Sequence, residues 1–185
     1  MAWTTAFDGC LACFDFLCQP SRPSRPSRPS PWEPDFRVLA VNDVYKPERF
    51  ALVRSLVRGL SKPSTLVMPG DLLGGSLFAS EHRGQSVIEL LNATQVNYCL
   101  LGNHEFDYGD DRLRELMDMS NFPWLGSNVR ESEGTGAERP MFHTTMDVDV
   151  FHVPLLDGAS VKVGVFGLCT AATPRLSHPS EKDCL

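Results

Sequence analysis

Three features of this sequence predict an α/β fold built on a layered sheet. Short apolar runs alternate with segments of helical period, starting with Phe36–Val41 and Thr65–Met68. Each of the first three runs ends in a turn rich in oxygen and nitrogen donors, the fullest being Gly102-Asn103-His104-Glu105-Phe106-Asp107. From Phe142 onward the apolar period falls to two, as a strand pair requires.

Phe36–Val41 reads as a first strand buried on both faces. Pro47 suits the first turn of a helix whose stripe is Val53, Leu56, Val57 and Leu60, and Lys62-Pro63-Ser64 breaks it. Thr65–Met68 is the second strand, running into Gly70-Asp71 and a loop bearing Gly74 and Gly75. A helix over Gln85–Thr94 offers Val87, Leu90, Leu91 and Ala93 to the core, and Val96–Leu101 is the third strand. Asp110-Asp111 favour a helix N-terminus, with Leu113, Leu116 and Met117 as its stripe and Pro123 as its stop. Trp124–Asn128 is a short fourth strand, and Glu131–Pro140 a surface loop. Phe142, Thr144, Met146, Val148 and Val150 form the alternating set, Asp157-Gly158 a hairpin turn, and Val161–Leu168 a returning strand apolar enough to be central.

At 185 residues and 42% apolar the chain is one domain or most of one. A formal charge of −6 argues against binding a nucleic-acid polymer, and no apolar run reaches the length of a transmembrane segment. Cys99 and Cys169 lie inside apolar runs and read as buried reduced thiols, which fits a cytoplasmic location.

Residues 1–35 form a separate head. Asp8 and Asp15 interrupt Met1–Cys18, which argues against a secretory signal or an organellar transit peptide. Cys10, Cys13 and Cys18 lack a fourth ligand and make a poor zinc site, so an unstructured apolar tail is expected. The repeats Ser21-Arg22-Pro23, Ser24-Arg25-Pro26 and Ser27-Arg28-Pro29 make an extended, solvated spacer, with docking of a partner that reads proline-rich helices as the alternative. The folded unit is expected over residues 36–185.

The chemistry gathers at strand ends. Asp43, Asp71 and Asn103 each follow an apolar run, and the C-terminal edge of an open α/β sheet is where sites are built. Carboxylates and amide oxygens suit hard or borderline divalent cations, and two such ions ~3.5–4 Å apart clamp a phosphoryl group. His104 stands beside Asn103, and Asp107, three residues on, is placed to fix its tautomer. Singly, each of these residues is an ordinary turn-former or cap; their order and shared position make the case.

Asn42-Asp43-Val44-Tyr45, Pro69-Gly70-Asp71 and Gly102-Asn103-His104-Glu105 resemble the first three signature blocks of the calcineurin-like metallophosphoesterases. Leu91-Asn92-Ala93, Phe106-Asp107-Tyr108-Gly109, Ser127-Asn128-Val129 and Val163–Leu168 make the 5′-nucleotidase-like branch the best fit. The resemblance implies a metallophosphatase-type βαβ sandwich with α-β-β-α layers, present here in part. It implies a centre of two divalent ions (Mn, Zn, Mg or Fe) and hydrolysis of a small phosphorylated substrate such as a nucleotide, with cyclic phosphodiesters also in range. Carried over by position, Asp43 binds the first metal, Asp71 bridges, Asn103 binds the second, His104 stabilises the transition state and Asp107 orients it.

Two departures follow. Tyr45 stands where the family usually supplies a histidine ligand; either a metal lowers its phenolic pKa from ~10 or water takes its place. None of His82, His104, His143, His152 and His178 lies in a Gly-His-x-His block, and His143 and His152 read as solvent-facing strand residues. The expectation is therefore the N-terminal part of a phosphoesterase domain, truncated and impaired in turnover. A non-catalytic short form or incomplete product acting as a binding module is the alternative.

Overall fold

The computed structural model describes residues 36–60, 64–132, 138–155 and 158–177. The head, the Lys62-Pro63 break, the middle of the 131–140 loop, Asp157 and His178 lie outside them.

Five strands form one parallel sheet in the order β1-β2-β3-β4-β7, namely Arg37–Ala40, Ser64–Met68, Tyr98–Leu100, Trp124–Leu125 and Thr145–Met146. Register pairs Leu39 with Leu66, Met68 with Cys99, and Leu100 with Leu125. Strand order follows chain order because a helix returns the chain to the same edge after each early strand. These helices are α1 (Glu48–Gly59) after β1, α2 (Leu77–Glu81) and α3 (Gln85–Thr94) after β2, and α4 (Asp110–Asp118) after β3.

The helices form where the apolar stripes predict, with Phe50 joining Val53 as the buried contact of α1, whereas on α3 Ile88 is buried and the expected Ala93 is exposed. α2 occupies part of the expected glycine loop, capped by Ser76, whose Oγ accepts from the Ala79 amide. Leu66, Met68, Ile88, Leu91, Cys99, Leu101, Leu113 and Trp124 form the core, each at most 1% exposed. Each large side chain so buried contributes ~2 kcal/mol. Cys99 and Cys169 are both buried and free.

Past β4 the structure corrects three expectations. The 131–140 loop carries a ribbon, β5 (Arg130–Ser132) antiparallel to β6 (Glu138–Pro140). The alternating stretch divides into β7, which joins the main sheet, and β8 (Val148–Pro154), whose inward face carries the half-buried Phe151 and the buried Val153, leaving Val148 and Val150 exposed. Aromatic packing sets that face: Phe151 lies 6.1 Å from the Tyr98 ring and 5.8 Å from Phe36, and Tyr98 donates to Asp149. The returning strand β9 (Ser160–Phe166) pairs with β8 alone among the described residues, so it is not central. A short helix, α5 (Thr173–Leu176), follows.

Candidate active site

The parallel register brings the carboxyl ends of β1, β2 and β3 to one edge. The amide of Val41 still donates to Val67 across the ladder, and two residues later Asp43 turns the chain at φ 54°. Asp71, three residues past β2, takes φ 58°. Aspartate tolerates this left-handed region better than most residues, at a cost of order 1–3 kcal/mol that the surrounding structure must offset. Gly70 precedes Asp71 at φ 108°, where a β-carbon would meet the Gly102 nitrogen at 2.6 Å. That close approach brings the second and third turns into contact.

Glu105 joins them. It sits in a one-turn 3-10 helix, His104–Phe106, and is 1% exposed. Its Oε2 accepts from the amides of Asp71 (2.8 Å) and Gly102 (2.7 Å), and its Oε1 from those of Leu72 (2.8 Å) and Leu73 (3.3 Å). Burial raises its carboxyl above the ordinary range, and the amide bonds oppose that rise.

Within the same turn, His104 Nδ1 lies 2.7 Å from Asp107 Oδ2, and the His104 amide donates to Asp71 Oδ1 at 3.1 Å. Gly74 makes room for Asp107, since a β-carbon there would lie 2.7 Å from the carboxylate carbon. The other carboxylate oxygen, Oδ1, accepts from the Ser177 hydroxyl at 2.8 Å. Burial alone would lower the His104 pKa; the bond to Asp107 and the charges of Asp107, Asp71 and Glu105 outweigh it, and the net direction is up.

Tyr45 donates its hydroxyl to Asp43 Oδ1 at 2.7 Å, and Asn42 donates to Oδ2 at 2.5 Å. Burial first, then the Asp43 bond and the charges of Asp43, Asp71 and Glu105, push the phenol far above its ordinary pKa. Tyr45 is therefore a neutral donor to Asp43 here. The charges it feels come from all three strand ends.

Asp43, Tyr45, Asp71, His104 and Asp107 thus gather in one neighbourhood, and Asn103 adjoins it through its backbone, whose carbonyl accepts from Phe106 at 3.1 Å. The Asn103 side chain makes no hydrogen bond to the described residues, which leaves its amide oxygen available. His143 and His152 are exposed and lie elsewhere, and His82 pairs with Ser86. Sequence reasoning assigned no role to Glu105 or Ser177. The apolar Phe106 beside Glu105 was a signal that this turn faces inward; Ser177 carried none.

Two carboxylates and an amide oxygen suit a hard divalent cation. Among the described residues, however, no three His, Cys, Asp or Glu side chains converge to hold one. The donors present fit part of a coordination shell.

Comparison with known proteins decides the family. The calcineurin-like phosphoesterase profile matches residues 36–162. The chain belongs to that family. Calcineurin-like phosphoesterases are a family of hydrolases that use divalent metal ions. A snake venom 5′-nucleotidase of Gloydius brevicauda is 32% identical over 117 residues, 62% of this chain and 18% of that protein. The 2′,3′-cyclic-nucleotide 2′-phosphodiesterase/3′-nucleotidase of Haemophilus influenzae is 32% identical over 133 residues, covering 58% of this chain and 20% of its own length. In fold, the 5′-nucleotidase precursor of Thermus thermophilus superposes with a TM-score of 0.64 at 21% identity, over 78% of this chain and 30% of that one. The chain therefore spans about a fifth of the length of the curated relatives it matches.

Proposed function

We propose that this phosphoesterase edge serves hydrolysis of nucleotide-type phosphate esters, as a 5′-nucleotidase-like site with two divalent ions. The observation that carries this reading is the His104–Asp107 pair at 2.7 Å, set in the turn whose amide binds Asp71. Asp43, Asp71 and Asn103 would hold the ions, with Asp71 shared. The ions would polarise the phosphoryl group and activate water.

The chain's own residues do the rest. Asp107 accepts from Nδ1–H of His104, which fixes the ring and favours its protonated form. In that form Nε2–H can donate to a phosphoryl oxygen and protonate the departing alkoxide. Tyr45 and Asn42 donate one hydrogen bond to each oxygen of Asp43 and so orient its carboxylate. Glu105 holds the Asp71 and Asn103 turns in register.

Because the donors among the described residues make only part of a shell, this chain alone turns over slowly or not at all. Calorimetric titration of the full chain with adenosine 5′-monophosphate, with and without Mn²⁺, tests the reading alongside a phosphate-release assay. Metal-dependent binding that Asp71→Asn abolishes supports it. Binding indifferent to metal and to Asp71→Asn overturns it, and rapid phosphate release that disappears in Asn103→Ala overturns the impairment.

A further inference from the structure

Ser177 lies 74 residues past Asn103 and 70 past Asp107, yet its hydroxyl reaches the carbonyl of the first and the carboxylate of the second. It is 8% exposed. Its placement is built rather than incidental. The Ser127 amide donates to Gly167 at 2.8 Å, and the Asn128 side chain grips Cys169 by both amide and carbonyl, each at 2.8 Å. Thr173 Oγ1 donates to Thr170, and the Ser177 amide closes α5 on Thr173 at 2.9 Å. The segment after β9 is thus laced to the end of β4 and comes to rest on the His104 turn.

A hydroxyl has one proton to give. The Asn103 carbonyl is the nearer acceptor, at 2.5 Å against 2.8 Å, but it already accepts from the Phe106 amide, whereas Asp107 Oδ1 is a carboxylate oxygen and the stronger acceptor for the proton. Asp107 then has one oxygen held by Ser177 and the other by His104 Nδ1, so its carboxylate cannot rotate without breaking a bond.

We propose that Ser177 is a positioning residue, which locks the Asp107 carboxylate and through it holds the proton on Nδ1 of His104, leaving Nε2 for the substrate. Its functional meaning rests on the role proposed for His104; the positioning itself does not.

Nitrogen-15 NMR of the full labelled chain tests this without metal or substrate. The Nδ1–H proton of His104, assigned by its loss in His104→Gln, should be visible downfield and slow to exchange with water. Ser177→Ala should speed that exchange roughly fivefold to tenfold, as the loss of one hydrogen bond implies, with backbone signals outside the contacting segments unmoved. Ser177→Thr should restore slow exchange, since the extended backbone at Ser177 (φ −139°) accepts a β-branched residue. Unchanged exchange in Ser177→Ala, no restoration by threonine, no such proton in the wild type, or a spectrum changed throughout would each overturn the proposal. Failure of metal-dependent nucleotide binding would sink the functional reading and leave this result standing.

Discussion

Glu105 and Leu72 stand 33 positions apart, and the buried carboxylate of the first accepts the amide proton of the second at 2.8 Å. With the amides of Asp71, Leu73 and Gly102 on the same side chain, one carboxylate sets the spacing of two strand-end turns. Glu105→Gln replaces one acceptor oxygen by an amino group facing N–H donors. The expected loss is about 3 kcal/mol of stability, because buried donors are left unpaired. Urea denaturation measures it, and a loss below about 0.5 kcal/mol would remove Glu105 from this role.

Gly70 answers to the same contact from the other side. Gly70→Ala places a methyl group 2.6 Å from the Gly102 nitrogen at a backbone angle that side chains disfavour. The turn must open, and a fall in stability of about 2 kcal/mol is expected. Thermal unfolding reads it directly; an unchanged melting temperature would show that the two turns do not need their close approach.

The raised pKa of His104 fixes the sign of one pH effect. A histidine whose folded pKa exceeds its unfolded value of ~6.5 contributes its full stabilisation below that value and loses it as pH rises through the folded pKa. Denaturation midpoints of wild type should therefore fall relative to Asp107→Asn as pH is raised above ~6.5. Parallel pH curves for the two proteins would contradict the pairing.

The β8–β9 ribbon presents Val148, Val150 and Phe166 at 55%, 53% and 62% exposure, with Val148 directly opposite Phe166. An apolar, exposed ribbon favours association. The double variant Val150→Thr with Phe166→Thr should remain monomeric to higher concentration by light scattering, at a stability cost of about 0.5 kcal/mol or less. Equal association in both proteins would show that this face is not the contact.

The sheet was legible because its strands are unbroken apolar runs, although β1 lies at the sheet edge with Val38 55% exposed and is not buried on both faces. The three donor-rich turns were legible because each follows such a run. The later strands were not. Which face of β8 turns inward depends on Phe151 meeting the rings of Tyr98 and Phe36, a contact that period-two counting does not contain. The five residues of α2 were hidden behind two glycines, with only Ser76 to mark the start. In the site, Asp43, Asp71, His104 and Asp107 could be read from local motif order. Glu105 acts on backbone amides, which every residue but proline supplies, so no residue type signals its partners. Ser177 reaches Asp107 only through the lacing of residues 167–177 onto β4, a tertiary fact.

The claim on which the rest depends is that Asp43, Asp71 and Asn103 form one metal-holding edge. Electron paramagnetic resonance of Mn²⁺ titrated into the full chain tests it most directly. The account predicts a bound fraction that Asp71→Asn removes and that His143→Ala, at an exposed site away from the edge, leaves unchanged. Binding that survives Asp71→Asn, or its absence from the wild-type chain, would contradict it.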